Sequence, residues 1–376
     1  MNKIIDFLKK ETVLCIAFLL AVISAFIVGI DATYIEYMDF RVLVLLFTLM
    51  AVMSGLQALG IFEKLSYSLL KYVKSTRSLS LLLVSLCFFL AMLITNDVAL
   101  ITFVPFTILI LEKTNGQKNL ISIVVLETIA ANLGSMLTPV GNPQNLYLYG
   151  LSGLSIGEFL LHMAPSTVLS FVLLLICSFL LKKEPITLTD STHTQTIQKP
   201  VLTAYYFVLF SLCLLTVAYL FPYPLLLLIS IPVLLIWDRQ TLKNVDYCLL
   251  LTFVSFFIFI GNMQRIPAVA EMLSSLVDGK ELLVAFFASQ IISNVPAAML
   301  LAGFTNNYKE LLLGVNIGGL GTLIASLASL ISFKYFANHV PNLPKESGIT
   351  KGKYLLQFTI MNILFAIILL GFVFII

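Results

Sequence analysis
Two short polar sequences stand inside apolar runs of this chain, Thr95-Asn96-Asp97 and Ser293-Asn294. Hydroxyl and amide oxygens can surround a hard cation, and amide N–H groups can donate to the oxygens of a small solute. The two sequences sit in matching surroundings: FFLAMLITN ends at Asn96 and FFASQIISN ends at Asn294. Downstream, NLGSMLTPVGNPQNL from Asn132 aligns without a gap on NIGGLGTLIASLASL from Asn316. Each copy thus places a polar pair in one apolar run and a Gly/Thr-rich break in the next. Paired interruptions of this kind in two halves of one chain point to a midplane binding site.

The elements that carry these residues must be membrane helices. Hydrophobic residues make up 60% of the chain against 11% charged, with a mean hydropathy of +1.04, far from the balance of soluble domains. Apolar runs recur from end to end, and the longest polar gap, 182–200, is a Thr-rich linker, which leaves no room for a soluble catalytic domain. The five cysteines lie in apolar segments without CxxC spacing, and His162, His193 and His339 are far apart. We read the cysteines as small buried hydrophobes and expect no metal cluster.

Between Arg77 and Lys113 the chain is apolar except for scattered Ser and Thr and the central Thr95-Asn96-Asp97. As one helix it would measure about 50 Å, too long for a hydrocarbon core of about 30 Å, and the break leaves too little on either side for two complete spans. A re-entrant hairpin over 79–112 fits better, with a second over 281–305 turning at Ser293-Asn294. Full spans are expected near 13–30, 41–60, 121–149, 159–181, 201–220, 224–237, 247–263, 311–333 and 354–376, and helices along the interface near 60–72 and 265–277. With the N-terminus inside, 18 of the 22 Lys/Arg residues fall on the cytoplasmic side, as the positive-inside rule asks, and the C-terminus lies outside. The fold class expected is an all-α polytopic membrane protein. It is an inverted repeat, 41–181 and 247–376, with two re-entrant hairpins and two broken helices, 121–149 and 311–333. Residues 1–40 form an N-terminal helix. Residues 182–246 form a linker and two connecting helices, candidates for a scaffold or dimer surface.

Polar groups left unpaired in hydrocarbon cost several kcal/mol, so each must do something. Asn96 and Asn294 would donate to substrate oxygens, with Thr95 and Ser293 adding hydroxyls. Asp97, Thr138, Pro139 and Thr322 complete the expected substrate set. Two prolines and a glycine in TPVGNPQN free backbone carbonyls for a cation. A sodium ion would sit where each tip meets its break. Thr95, Asn96, Asn132, Gly134, Thr138, Gly141 and Asn142 would hold it in one copy, and Ser293, Asn294, Gly318, Thr322 and Ser326 in the other, where the lack of prolines predicts a gentler break. Asp97 is a carboxylate at membrane depth, which costs roughly 3 kcal/mol on insertion scales and marks function. It could bind a coupling cation, carry a proton, or cap the helix from Val98. Glu127 is a second candidate coupling carboxylate.

These tips and breaks, TND with GNPQN and SN with the Gly318–Ser326 stretch, resemble the ion transporter superfamily. Its members include divalent anion/sodium symporters, citrate transporters, arsenite permeases and sodium/proton antiporters. The resemblance runs from about residue 41 to the end. It implies that Pro139 through Asn145 and Gly318 to Ser326 match the family's sodium-site loops. It further implies a homodimer with elevator-like movement of a transport domain against a scaffold. The dicarboxylate branch carries Ser-Asn-Thr at both tips, whereas Asp97 and Val295 stand here, closer to the arsenite-permease branch. The expected function is secondary active transport of a small anionic solute across the cytoplasmic membrane, coupled to Na⁺ or H⁺, with no other cofactor and no nucleic-acid partner. The alternative is a cation/proton antiporter or arsenite-type efflux permease using Asp97. A channel would need a continuous selective pore, and no nucleophile/base pair, HExxH or cysteine-centred motif points to an enzyme.

Overall fold
Leu, Ile, Val and Phe dominate every long segment, and in hydrocarbon such a backbone can satisfy its own amides and carbonyls only as helix. The computed structural model describes residues 11–70, 73–113, 115–186, 199–342 and 348–375, and among them it contains helices and turns but no β-strand. The first part of the chain forms α1 (Thr12–Val28), α2 (Phe40–Ala58) and the short amphipathic α3 (Ile61–Leu70). Next come α4 (Thr76–Ile94) and α5 (Asn96–Lys113), which meet at Thr95. The first broken helix is α6 (Leu120–Ser135), a 3₁₀ turn (Pro139–Gly141) and α7 (Pro143–Ser152), followed by α8 (Ile156–Leu180). Connecting helices α9 (Pro200–Val217), α10 (Tyr223–Trp237) and α11 (Arg239–Lys243) lead to α12 (Tyr247–Gln264) and α13 (Pro267–Val277). The order then repeats: α14 (Glu281–Ile292) meets α15 (Asn294–Ala302) at Ser293, and α16 (Tyr308–Gly318), a 3₁₀ turn (Leu323–Ala325) and α17 (Leu327–His339) form the second broken helix, before α18 (Lys351–Ile375).

Six of these helices, α2, α4, α8, α9, α12 and α18, are long and apolar enough to cross a membrane. The presence of α4 among them differs from the sequence expectation. Its 19 residues measure about 28 Å at 1.5 Å per residue, so the arm before Thr95 is not too short to span. The arm after it, α5, carries Asp97, Glu112, Lys113 and an internal Pro105.

Both broken helices lie at the centre. Every residue of α6 except Ser122 is buried, as is every residue of α16 from Leu311 to Gly318, the pattern of a helix surrounded by protein on all sides. α6 packs on α4, α5, α8, α17 and α18, and α16 packs on α14, α15 and α7. Glycine sets the closeness of two of these contacts: a Cβ on Gly134 would stand 2.1 Å from the Phe88 carbonyl oxygen, and one on Gly318 would stand 2.7 Å from the Ser289 hydroxyl. Large apolar side chains such as Phe26, Leu161 and Ile375 point outward, as lipid contact requires.

A second group of helices packs beside this core. Arg41 on α2 donates through Nη2 to the carbonyls of Thr216 (2.8 Å) and Val217 (3.0 Å) at the end of α9, and its guanidinium lies 3.5 Å over the Tyr219 ring. Those carbonyls are the orphans of a helix C-terminus, which a cation satisfies well. Tyr206 on α9 donates to Asp238 after α10 at 2.8 Å, tying α2, α9 and α10 into one unit. The foot of α4 is fixed elsewhere: Ser75 and Ser78 form a capping box, and Thr76 donates its hydroxyl to Lys182 O (2.7 Å) and its amide to Glu184 O (2.9 Å), just past α8.

Candidate substrate and ion site
The two polar tips share one backbone conformation. Thr95 has φ 72° and ψ 151°, and Ser293 has φ 75° and ψ 153°, a region occupied almost only by glycine and costing about 1–3 kcal/mol for other residues. Strain of this kind persists where surrounding contacts hold it. Those contacts are also matched. Four residues before each tip asparagine, the backbone carbonyls of Met92 and Gln290 accept the hydroxyls of Thr138 and Thr322, the latter at 3.2 Å. Thr138 and Thr322 are therefore the ties between each break and its own hairpin. Thr322 is exposed.

Each break has its freed carbonyls taken up by a side-chain amide. Asn145 Nδ2 donates to the carbonyls of Ser135 (3.3 Å), Met136 (3.1 Å) and Thr138 (3.1 Å). Gln290 Nε2 donates to Gly318 O (2.8 Å) and Leu320 O (2.9 Å), while its Oε1 accepts the Thr322 amide at 3.0 Å. This corrects the expectation of a gentler second break. Gly318, Gly319 and Gly321, the last at φ +112°, unwind the chain as completely as the prolines do, and Gln290 from the neighbouring hairpin replaces the lost helix bonds. A carbonyl oxygen has two lone pairs, so both breaks keep an all-oxygen donor set that fits a hard cation such as Na⁺.

The asparagines at the start of each break cross over to the other copy. Asn132 Oδ1 accepts from Ser326 (2.9 Å) and its Nδ2 donates to Ser329 (3.2 Å). Asn316 Oδ1 accepts from Asn142 (3.1 Å) and its Nδ2 donates to Asn145 Oδ1 (2.6 Å). In both directions the partners lie ten and thirteen positions after the aligned asparagine, 142 and 145 in one copy, 326 and 329 in the other. Asn96 joins through Nδ2 to Asn132 Oδ1 (3.1 Å), and Ser293 joins through its hydroxyl to Ala325 O (3.4 Å). Asn294 is buried with its Nδ2 beside Gly319. Ser135 joins the two sets, donating to Asn132 O (2.9 Å) and accepting from Asn142 (3.1 Å), so one network gathers Asn96, Asn132, Asn142 and Ser326, with Ser293 tied to the backbone beside Ser326 and with Pro139 and Gly141 buried in the turn.

The tips open on different cavities. Thr95, Asp97 and Asn142 line a space of about 320 Å³ together with Ser54, Gln57 and Asp246. Ser293 and Val295 line a smaller one of about 70 Å³, which Asp246 and Leu249 also border. Asp97 caps no amide; its own N–H bonds to Asn96 Oδ1 at 2.9 Å, and among the described residues no hydrogen bond reaches its carboxylate. Asp246 escaped the sequence reading because it precedes α12 and looks like a helix cap, which it is: Oδ1 accepts the Leu249 amide at 2.9 Å. Among the described residues no lysine or arginine lines either space. A roomier cleft of about 780 Å³, beside Gln264, Glu281 and Thr305, contains none of the expected site residues. Glu127 lies away from the cavities, its Oε1 accepting the Thr107 hydroxyl at 2.5 Å.

Two broken helices are thus bound to each other, each beside a polar helix–helix tip. A sequence profile described as "Citrate transporter" matches residues 4–310. The chain belongs to the citrate transporter family. It is 36% identical over 311 residues to an uncharacterized transporter of Methanocaldococcus jannaschii, covering 82% of each chain. It is 32% identical over 303 residues to an inner membrane protein of Escherichia coli, covering 79% of this chain and 80% of that one. A shorter match of 29% over 158 residues, 41% of this chain and 32% of the other, is to a silicon efflux transporter of Oryza sativa. This member of the citrate transporter family is accordingly a multi-pass membrane transporter of a small solute.

Proposed function
We propose that the chain is a secondary active transporter that moves its solute by alternating access of elevator type, coupled to Na⁺ or H⁺. The reciprocal pairing of Asn132 with Ser326 and Ser329, and of Asn316 with Asn142 and Asn145, carries the reading. Such pairing is what two copies related by an inverted pseudo-two-fold would make. It welds both breaks into one body that can move whole. In this reading 41–181 and 247–376 are the repeats, with re-entrant hairpins at 79–112 and 281–305 and broken helices at 121–149 and 311–333. The unit of α2, α9 and α10 serves as scaffold, with 1–40 and 182–246 outside the repeats and a homodimer built on the scaffold. The N-terminus is cytoplasmic and the C-terminus outside.

The substrate site is formed by the tips, where Asn96 and Asn294 donate amide hydrogens and Thr95 and Ser293 present backbone and hydroxyl groups. Sodium, where it couples, lies at Thr138 to Asn142 and at Gly318 to Ser326, among the carbonyls that Asn145 and Gln290 now hold. The family description favours a carboxylate anion as solute. A specific observation favours the second reading, uptake or efflux of an uncharged oxygen acid in exchange for a cation. Asp97 and Asp246 border the first cavity and, among the described residues, no basic one lines it, so a bare anion meets repulsion there. The silicon efflux relative fits that chemistry.

Purified protein in proteoliposomes separates the two. Accumulation of citrate driven by a Na⁺ or H⁺ gradient supports the first reading. Silicic or arsenious acid movement against a proton gradient, with no citrate uptake, supports the second. Gradient-independent current far above carrier turnover, with neither solute accumulated, sinks both.

A further inference from the structure
Glu127 sits in the middle of α6 with 0% of its surface exposed. Its Oε1 accepts from Thr107 on α5, and among the described residues its Oε2 has no hydrogen-bond partner. The titratable groups that act on it are Cys87 on α4 and Tyr354 on α18, and both can only become anions. Among the described residues, helices α8, α16 and α17 bring no titratable group that acts on it, and no lysine, arginine or histidine does so. An ionised carboxylate in such a place is uncompensated and costs several kcal/mol, so Glu127 must receive a cation. A metal ion needs a shell of oxygen donors, and Thr107 offers one hydroxyl. A proton needs no shell and no volume.

We propose that Glu127 is the residue that binds the coupling proton, a role distinct from that of Asp97 at the cavity. Hydronium gives its proton to Oε2, forming one O–H bond and leaving water; release breaks that bond and returns the proton to water. A buried cluster of hydroxyls lies beside it. The next residue, Thr128, shares a 2.6 Å hydrogen bond with Ser332, which lies 3.3 Å from the Tyr354 hydroxyl, one turn from the charged start of α18. Hydroxyls donate and accept, so this cluster can pass a proton in either direction. One turn along α17 from Ser332, Ser329 holds Asn132, so the cluster beside Glu127 adjoins the network at the tips. The inference rests on the transporter reading with H⁺ as coupling ion, but its main test needs no transported solute.

The test is pH-difference infrared spectroscopy of the full chain in lipid nanodiscs, reading the carbonyl stretch of a buried carboxylic acid. The wild type should show a band that titrates, Glu127→Gln should lose it, and Glu127→Asp should restore it at a shifted frequency. Should Glu127→Gln fail to fold, Thr107→Val keeps the acid and removes its hydrogen-bond donor, so the band must shift. A spectrum without a titrating band, or one unchanged in Glu127→Gln or unshifted in Thr107→Val, overturns the proposal. A parallel proteoliposome arm uses citrate as probe. Uptake driven equally well by a pH gradient in wild type and Glu127→Gln overturns this role while leaving the transporter reading intact. A titrating Glu127 band with no citrate movement leaves the role standing and removes citrate as the solute.

Discussion

Removing either crossing asparagine should loosen both halves at once. Asn316→Ala deletes a bond to Asn145 Oδ1 (2.6 Å), one to Leu312 O (2.8 Å) and one from Asn142 (3.1 Å). Asn142 keeps Ser135 as a partner at 3.1 Å, but Asn145 Oδ1 loses its donor in a dry interior. One orphaned acceptor costs about 1–3 kcal/mol, and a net interhelical bond adds about 0.6 kcal/mol, so the loss should be about 2–4 kcal/mol. Asn132→Ala strips partners from Asn96, Ser326 and Ser329 and should cost a similar amount. The decisive quantity is the coupling. Double-mutant cycles of Asn316 with Asn145 and of Asn132 with Ser326, read from reversible unfolding in mixed micelles, should each give about 0.6–1.7 kcal/mol, the range for membrane hydrogen bonds. Coupling energies below about 0.3 kcal/mol, the usual error of additivity, in both cycles would refute the crossing and the two-fold relation built on it.

Four further outcomes follow from the geometry. Thr95→Gly and Ser293→Gly should each stabilise the protein by about 1 kcal/mol by relieving a glycine-type backbone, while slowing transport; equal or lower unfolding midpoints would contradict this. Asp97→Asn should leave stability within about 0.5 kcal/mol, as for a side chain without partners, yet change ion stoichiometry in proteoliposomes; unchanged coupling would reduce Asp97 to a passive lining residue. Gln290→Ala frees the carbonyls of Gly318 and Leu320 and the Thr322 amide, so hydrogen exchange should rise over 318–323 and not over 135–141. Asp31, outside the spans, is held below the usual carboxylate range by the Thr33 hydroxyl, against its own desolvation, with the Thr33 amide and Arg265 also lowering it. The fold favours its ionised form, so amide protection over 31–37 should be full above about pH 3.9 and vanish only as acid carries pH through the lowered value; loss near neutrality would reverse that sign.

Much of the fold was readable because membrane helices announce themselves by apolar length, and the breaks by proline, glycine and repeated local sequence. The observed helices from α6 to α8 and from α12 to α16 begin and end close to the expected spans, as α18 does, whereas α17 runs on to His339, past the expected end at 333. What could not be read was pairing at a distance. Asn316 meets Asn142 across 174 positions, and no local pattern encodes that. Thr138 and Thr322 looked like ligands from their types, but type does not say whether a hydroxyl points at a solute or at the carbonyl of the next hairpin. Gln290 and Asp246 were passed over for the opposite reason: an amide in a helix and an acid before one have ordinary structural uses, and here they have those uses while also bordering the site.

The crossing has a bearing on how the chain is made. When the first half leaves the ribosome and enters the bilayer, the partner of Asn145 lies 171 residues downstream and has not been synthesised. Until α16 arrives, that half must wait in lipid with polar groups unsatisfied, a natural hold for insertion factors and a point of attack for quality-control proteases. A nascent chain stalled short of Asn316 should therefore be short-lived, however complete its first seven helices look.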